Sequence, residues 1–137
     1  MIKYEIIGHN ADLKIKSFGR TKVGLFVHSA EGMMEVIYGT GAAILPKGGA
    51  KEKEIVSEGP DREALLINWL SDILAFSDTE DSYCFDFEIL LLTDKKIKTK
   101  MKYLSAKAVE DIKGVTQHKT KIEEIDEGLE VTVLYDI

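Results

Sequence analysis

Three side chains of the segment Gly8-His9-Asn10-Ala11-Asp12 can do chemistry, and Asp136 and Ile137 can do it with them. An Asp in a break between two strands ordinarily bonds its own backbone, and Asn10 suits a turn for the same reason. His9 has a dull reading as a satisfied, partly buried imidazole. Asp136 shifts the balance. The α-carboxylate of Ile137 stands beside it, so two anionic groups sit together at the end of a strand and repel. A cation would remove that cost. Oxygen donors without cysteine suit hard ions such as Ca²⁺ or Mg²⁺. If the last strand ends near the Gly8–Asp12 break, Asp12 supplies a third carboxylate. A frayed terminus is the plain alternative.

Other reactive residues are less promising. His118 could serve as a base, but no Ser or Cys elbow accompanies it. Cys84 has no neighbouring cue for activation. His28 reads as surface or core edge. Lys113, expected mid-strand between Ile112 and Gly114, reads as a lysine on the wet face. Lys96, Lys98, Lys100 and Lys102 share one strand face. That face could dock acidic protein or RNA, though a solvated face blunting a sheet edge accounts for it better.

The elements that must position these groups follow from periodicity. Lys3 to Ile7 and Leu13 to Phe18 are expected strands, the second with Leu13, Ile15 and Ser17 on one face. Thr21 is an expected helix N-cap. Val23, Phe26, Val27, Ala30, Met33, Met34 and Ile37 then form one apolar stripe. A glycine-rich stretch, 40–50, should turn near Pro46. Lys53 to Ser57 is a short expected strand. Pro60-Asp61 opens a second helix with a stripe of Leu65, Leu66, Trp69, Leu70, Ile73 and Leu74, and Ser77 to Asp81 close it.

The second half reads as strands. Phe85, Phe87, Ile89 and Leu91 alternate, as do Ile97, Thr99, Met101 and Tyr103. Val109 to Gln117 and Thr120 to Ile125 look extended, and Asp126-Glu127-Gly128 turns the chain. Leu129, Val131, Val133 and Tyr135 complete an expected final strand. The sum is one α+β domain over residues 1–137, with six to eight mostly antiparallel strands and two main helices packed on one face.

Bulk properties limit the function classes. The 137 residues carry 24 acidic and 18 basic side chains, a net charge of −6. That balance argues against a direct nucleic-acid binder, which gains affinity by neutralising phosphates. It leaves room for a partner that itself holds RNA. No apolar run approaches the roughly 18 residues of a membrane span. The N-terminus lacks signal-peptide features, and a single cysteine makes no internal disulfide. The expected setting is cytoplasmic, with no membrane and no DNA partner.

Taken together, several motifs carry a resemblance. They are Gly8-His9-Asn10-Ala11-Asp12 before a strand, and Leu25-Phe26 with Ala30 on the first helix. The second helix adds Leu65 to Leu70, Phe76 and Asp78-Thr79-Glu80. Then come Ile112-Lys113-Gly114-Val115-Thr116-Gln117-His118 and a chain end at Tyr135-Asp136-Ile137. In order and spacing this resembles the archease family, protein cofactors of the RNA-splicing ligase RtcB.

The resemblance implies a divalent-cation site, calcium first with Mg²⁺ or Mn²⁺ as alternatives, through Asp12 and Asp136, with the Ile137 carboxylate as companion. It implies a functional Lys113, and His9 and His118 are candidates behind the ligands. It also implies a non-enzymatic role: promoting guanylylation of the ligase and its repeated turnover in tRNA splicing and RNA repair, with RNA contacted only through the ligase. Two rival readings stand beside it. One is a stand-alone metal-dependent phosphoester hydrolase using His9 or His118 as base. The other is a chaperone or modulator of tRNA-modifying enzymes. Three departures from the family pattern occur: Asn10 where Thr is usual, Gln117 where Tyr is usual, and Gly24 where an acid is usual.

Overall fold

Thr21 and Asp61 start the two helices, as their residue types lead one to expect. The computed structural model describes residues 2–8, 12–40 and 49–137. His9, Asn10 and the expected turn near Pro46 lie outside them. Helix α1 (Lys22–Tyr38) begins at Thr21, whose hydroxyl accepts from the Gly24 amide at 3.1 Å. The usual acid at position 24 is absent, yet this half of the cap survives, because it needs only the Gly24 backbone. Phe26, Ala30, Met33, Met34 and Ile37 are buried as the stripe predicts. Val23 is instead 44% exposed, and Leu25 takes the buried place in that turn.

Helix α2 (Arg62–Glu80) starts two residues later than Pro60 would suggest. Asp61 is the N-cap and accepts from the Ala64 amide at 2.8 Å, so Pro60 lies outside the first turn. The polar run from Ser77 does not interrupt the helix, which continues to Glu80 before Asp81 closes it in a left-handed conformation. Ser77 is buried, bonded to the Tyr38 hydroxyl at 2.8 Å and donating to the Ser82 carbonyl at 2.7 Å. That satisfaction lets a polar residue stay inside the last turn. Among the described residues no helix is long and apolar enough to cross a membrane.

Among the described residues eight strands, all paired antiparallel, form two sheets. The strands are β1 (Tyr4–Gly8), β2 (Asp12–Gly19), β3 (Lys51–Glu58), β4 (Ser82–Leu92), β5 (Lys96–Ser105), β6 (Gly114–Thr116), β7 (Glu123–Ile125) and β8 (Gly128–Asp136). The larger sheet runs β1-β2-β8-β6, with β7 also on β8, and the smaller runs β3-β5-β4. The α+β class, the antiparallel pairing and the two helices agree with the sequence. Of the extended stretches expected at 109–117 and 120–125, only β6 and β7 pair, three residues each.

Alternation in β4 fails for a local reason. Its register with β5 shifts between Phe85 and Glu88 and again between Ile89 and Leu91. Each shift resets which face a side chain occupies. Leu91 therefore ends 42% exposed, while Leu92 packs against the core.

One cluster of buried side chains joins both helices to both sheets, with Trp69, Tyr135 and Phe26 among its largest members. β8 lies between β2 and β6 within this frame. A two-residue turn leads into it, with Gly128 at φ 146°, where a Cβ would meet the Gly19 carbonyl oxygen. Only glycine fits both the conformation and that approach.

Candidate metal centre

The β2–β8 ladder brings the start of β2 beside the end of β8. It runs without a break from Gly19 opposite Leu129 to Asp12 opposite Asp136. Leu13, Ile15 and Ser17 are buried on one face of β2, matched by Tyr135, Val133 and Val131 on β8. Alternation then puts Asp12 and Asp136 on the opposite, outer face, where both are exposed. Side chains directly opposite in an antiparallel pair have Cβ atoms about 4.5–5.5 Å apart, and like charges there repel. The burial pattern thus fixes a register whose last rung joins two carboxylates.

The third strand at this point contributes space. Gly114 of β6 is opposite Asp136 on its other side, and a Cβ there would stand 3.8 Å from Asp136 Oδ2. Glycine leaves the flank of the carboxylate open. Sequence reasoning did not single out Gly114. The signal was a glycine inside a segment otherwise suited to a strand.

Lys113 is not mid-strand, as the sequence suggested. It stands one residue before β6, exposed, and its backbone N–H donates to the Asp136 carbonyl at 2.7 Å. The strand stops short because that hydrogen bond is the final link to β8. Lys113 is therefore attached to the backbone of a carboxylate-bearing residue. Ile137 is half-buried and packs against the core, which holds the segment after Asp136 in place.

His118 does not join this group. β6 leads away from Asp136, and His118 lies beyond its far end, in an exposed bend. Among the described residues, no three His, Cys, Asp or Glu side chains converge as a metal cluster. Asp12 and Asp136 form a pair, with residues 9–11 adjoining it in sequence. Among the described residues neither carboxylate has an ion-pair partner, although Lys16 farther along the same face is bound to Glu130 at 3.3 Å.

The donor set fits a hard divalent cation. It offers carboxylate oxygens, it is open to solvent, and an electrostatic cost waits to be removed. Two side-chain ligands leave most of such an ion's coordination positions for water or for oxygens brought by a partner.

Other candidates resolve more plainly. Lys98, Lys100 and Lys102 pair with Glu54, Glu52 and Asp86 at 3.0, 3.0 and 3.1 Å. The Glu52 carboxylate, by its hydrogen bond and then its charge, holds the Lys100 ammonium above its ordinary pKa. Three of the four lysines on this face are thus charge-matched, and among the described residues Lys96 has no ion-pair partner. Cys84 is buried, and desolvation pushes its thiol pKa up to about 12, which leaves it an unreactive core residue. His28 Nδ1 lies 2.6 Å from the Phe18 carbonyl, tying α1 to the end of β2.

Comparison with known proteins follows the same outline. Residues 4–137 match the model of the Archease protein family (MTH1598/TM1083). Protein archease of Pyrococcus abyssi is 31% identical, covering 93% of each chain. That of Saccharolobus solfataricus is 30% identical over the full length of both, and that of Methanosarcina mazei 27% over 98% of this chain and 96% of its own. The fold is shared with the solution structure of Methanobacterium thermoautotrophicum protein 1598, at a TM-score of 0.70 and 24% identity over 98% of this chain and 99% of that one. It is also shared with a Thermotoga maritima crystal structure termed an archease and possible chaperone, at a TM-score of 0.63 and 18% identity over 100% and 98%.

Proposed function

The chain belongs to the archease family, and from that premise we propose that it activates an RtcB-type RNA-splicing ligase through a divalent cation held by Asp12 and Asp136. The observation that carries the reading is the cross-strand rung joining those two carboxylates where β2 begins and β8 ends. The Ile137 carboxylate is offered as a third oxygen donor. Calcium is the first choice of ion, with Mg²⁺ or Mn²⁺ as alternatives. When bound, the ion supplies positive charge and open coordination positions at an exposed end of the sheet, suited to phosphoryl oxygens during nucleotidyl transfer.

The chain's own residues do the rest. The β2–β8 ladder holds both carboxylates on one outer face. Gly114 keeps the flank of Asp136 clear. The Lys113 backbone is bonded to the Asp136 carbonyl, and its ammonium is available to a phosphate or to an acid on the ligase. A net charge of −6 suits docking to a protein better than gripping RNA. The role is that of a cytoplasmic protein cofactor, promoting guanylylation and repeated turnover of the ligase. The hydrolase alternative would need His9 or His118 as a base beside the carboxylates; His118 lies beyond the far end of β6, and His9 lies outside the described residues.

The test is multiple-turnover ligation by the partner with this protein added. Asp12→Ala and Asp136→Ala should each lose most of the stimulation while the ligase's single-turnover joining is unaffected. Full stimulation by both variants would defeat the proposal.

A chaperone role is the second reading, prompted by the words attached to the Thermotoga structure. It predicts suppressed aggregation of unrelated clients, unchanged by Asp136→Ala.

A further inference from the structure

We propose that the free edge of β1 is a self-pairing surface, on which two copies of this chain join as antiparallel strands centred on Tyr4. β1 ends the larger sheet, and among the described residues no strand lies beyond it. The Phe18 amide donates to the Lys3 carbonyl at 3.0 Å, so Lys3 turns its polar groups toward β2. Strand alternation turns those of Glu5 and Ile7 the same way, and those of Ile2, Tyr4 and Ile6 outward, where they have no partner among the described residues.

The other edges are protected. β3 opens with Lys51-Glu52-Lys53-Glu54. β4 carries two register shifts, and Asp86 in its first has a φ of 55°. β6 and β7 are three residues each with a gap between them. Charge, bulges and brevity all discourage edge pairing. β1 instead keeps an unbroken register with β2 and exposes Ile2, Ile6 and Ile7.

Charge complementarity selects a second copy as the occupant and sets its register. Centring on Tyr4 places Ile2 opposite Ile6 of the second copy, and Lys3 opposite its Glu5. The two-fold axis repeats both contacts, giving two ion pairs and two isoleucine pairs. Every outward-turned group of Ile2, Tyr4 and Ile6 then finds a partner. Centring on Glu5 sets two glutamates face to face, and centring on Ile6 faces Glu5 with an isoleucine. Within one copy Lys3 is only loosely engaged, 3.8 Å from Glu31 and largely exposed. Pairing centred on Tyr4 leaves Gly8 outside the joined stretch, so the Asp12–Asp136 rung stays accessible.

Sedimentation velocity on the full chain, from micromolar to millimolar protein, tests this. The native chain should show a concentration-dependent dimer. Ile6→Lys should abolish it with an unchanged far-ultraviolet circular dichroism spectrum. Glu5→Lys should raise the dimer dissociation constant about tenfold, roughly 1.4 kcal/mol. The double reversal Lys3→Glu with Glu5→Lys should restore the native value, because both ion pairs re-form with opposite sign. A monomer at every concentration, or failure of the double reversal to recover association, would overturn the proposal.

Discussion

The outer faces of the two sheets treat charge in opposite ways. On the smaller sheet, each of three consecutive outward lysines of β5 is answered by a carboxylate: Lys98 by Glu54, Lys100 by Glu52 and Lys102 by Asp86. At the open end of the larger sheet, register sets Asp12 against Asp136, with no ion-pair partner among the described residues. Both faces are solvated and both registers are fixed by what is buried beneath them. A charge run whose neighbours neutralise it is a solvated wall. A like-charge rung that the core will not allow to slip is a place where a ligand of opposite sign gains free energy.

The largest expected effect lies in the response to cation. Calcium should raise the melting temperature of the native protein, because an ion that binds only the folded state stabilises it by mass action. The double variant Asp12→Asn with Asp136→Asn should lose that response. An undiminished rise in the variant would move the ion elsewhere. Next comes Lys113→Ala, which should reduce stimulation of the ligase several-fold while leaving the calcium response intact. The Lys113 backbone bond to Asp136 does not depend on its side chain. Loss of both together would show that Lys113 supports the fold of the site instead.

Smaller effects test the repulsion itself. In chelator, Asp136→Asn alone should raise stability by a few tenths, about 0.2–0.5 kcal/mol, because it removes a like-charge pair at an exposed rung. Destabilisation there would mean that the carboxylate has a structural partner. Smallest of all, Lys98→Ala should cost about 0.5 kcal/mol or less, as exposed ion pairs do, and leave ligase stimulation unchanged. A marked loss of stimulation would turn the lysine wall into a docking surface.

Much of this contrast was legible in the chain. Leu13, Ile15 and Ser17 against Val131, Val133 and Tyr135 gave two strands with defined buried faces, whereas Asp12, expected in the break before the second strand, is the first residue of β2. That the two strands are neighbours was not readable from periodicity, since pairing partners distant in sequence leave no local signal. The acids answering the lysines were visible as residues but not as partners, because the diagonal pairing of Glu52 and Glu54 depends on the β3–β5 register and that of Asp86 on the register shift in β4. The β4 bulges were hidden for a different reason. A shift of one residue leaves the composition of the strand unchanged while moving Leu91 to the surface. Lys113 looked mid-strand because Ile112 to Thr116 has strand character throughout, whereas pairing begins only at Gly114. Val23 was misplaced because Leu25, on nearly the opposite side of α1, is the residue its first turn buries.

The central claim is that the Asp12–Asp136 rung holds a divalent cation. Calorimetric titration of Ca²⁺ into the purified protein, and into the Asp12→Asn with Asp136→Asn double variant, tests it most directly. The account predicts one saturable site per chain in the native protein and none in the variant. Equal binding by the two proteins, or no saturable binding by the native one, would contradict it.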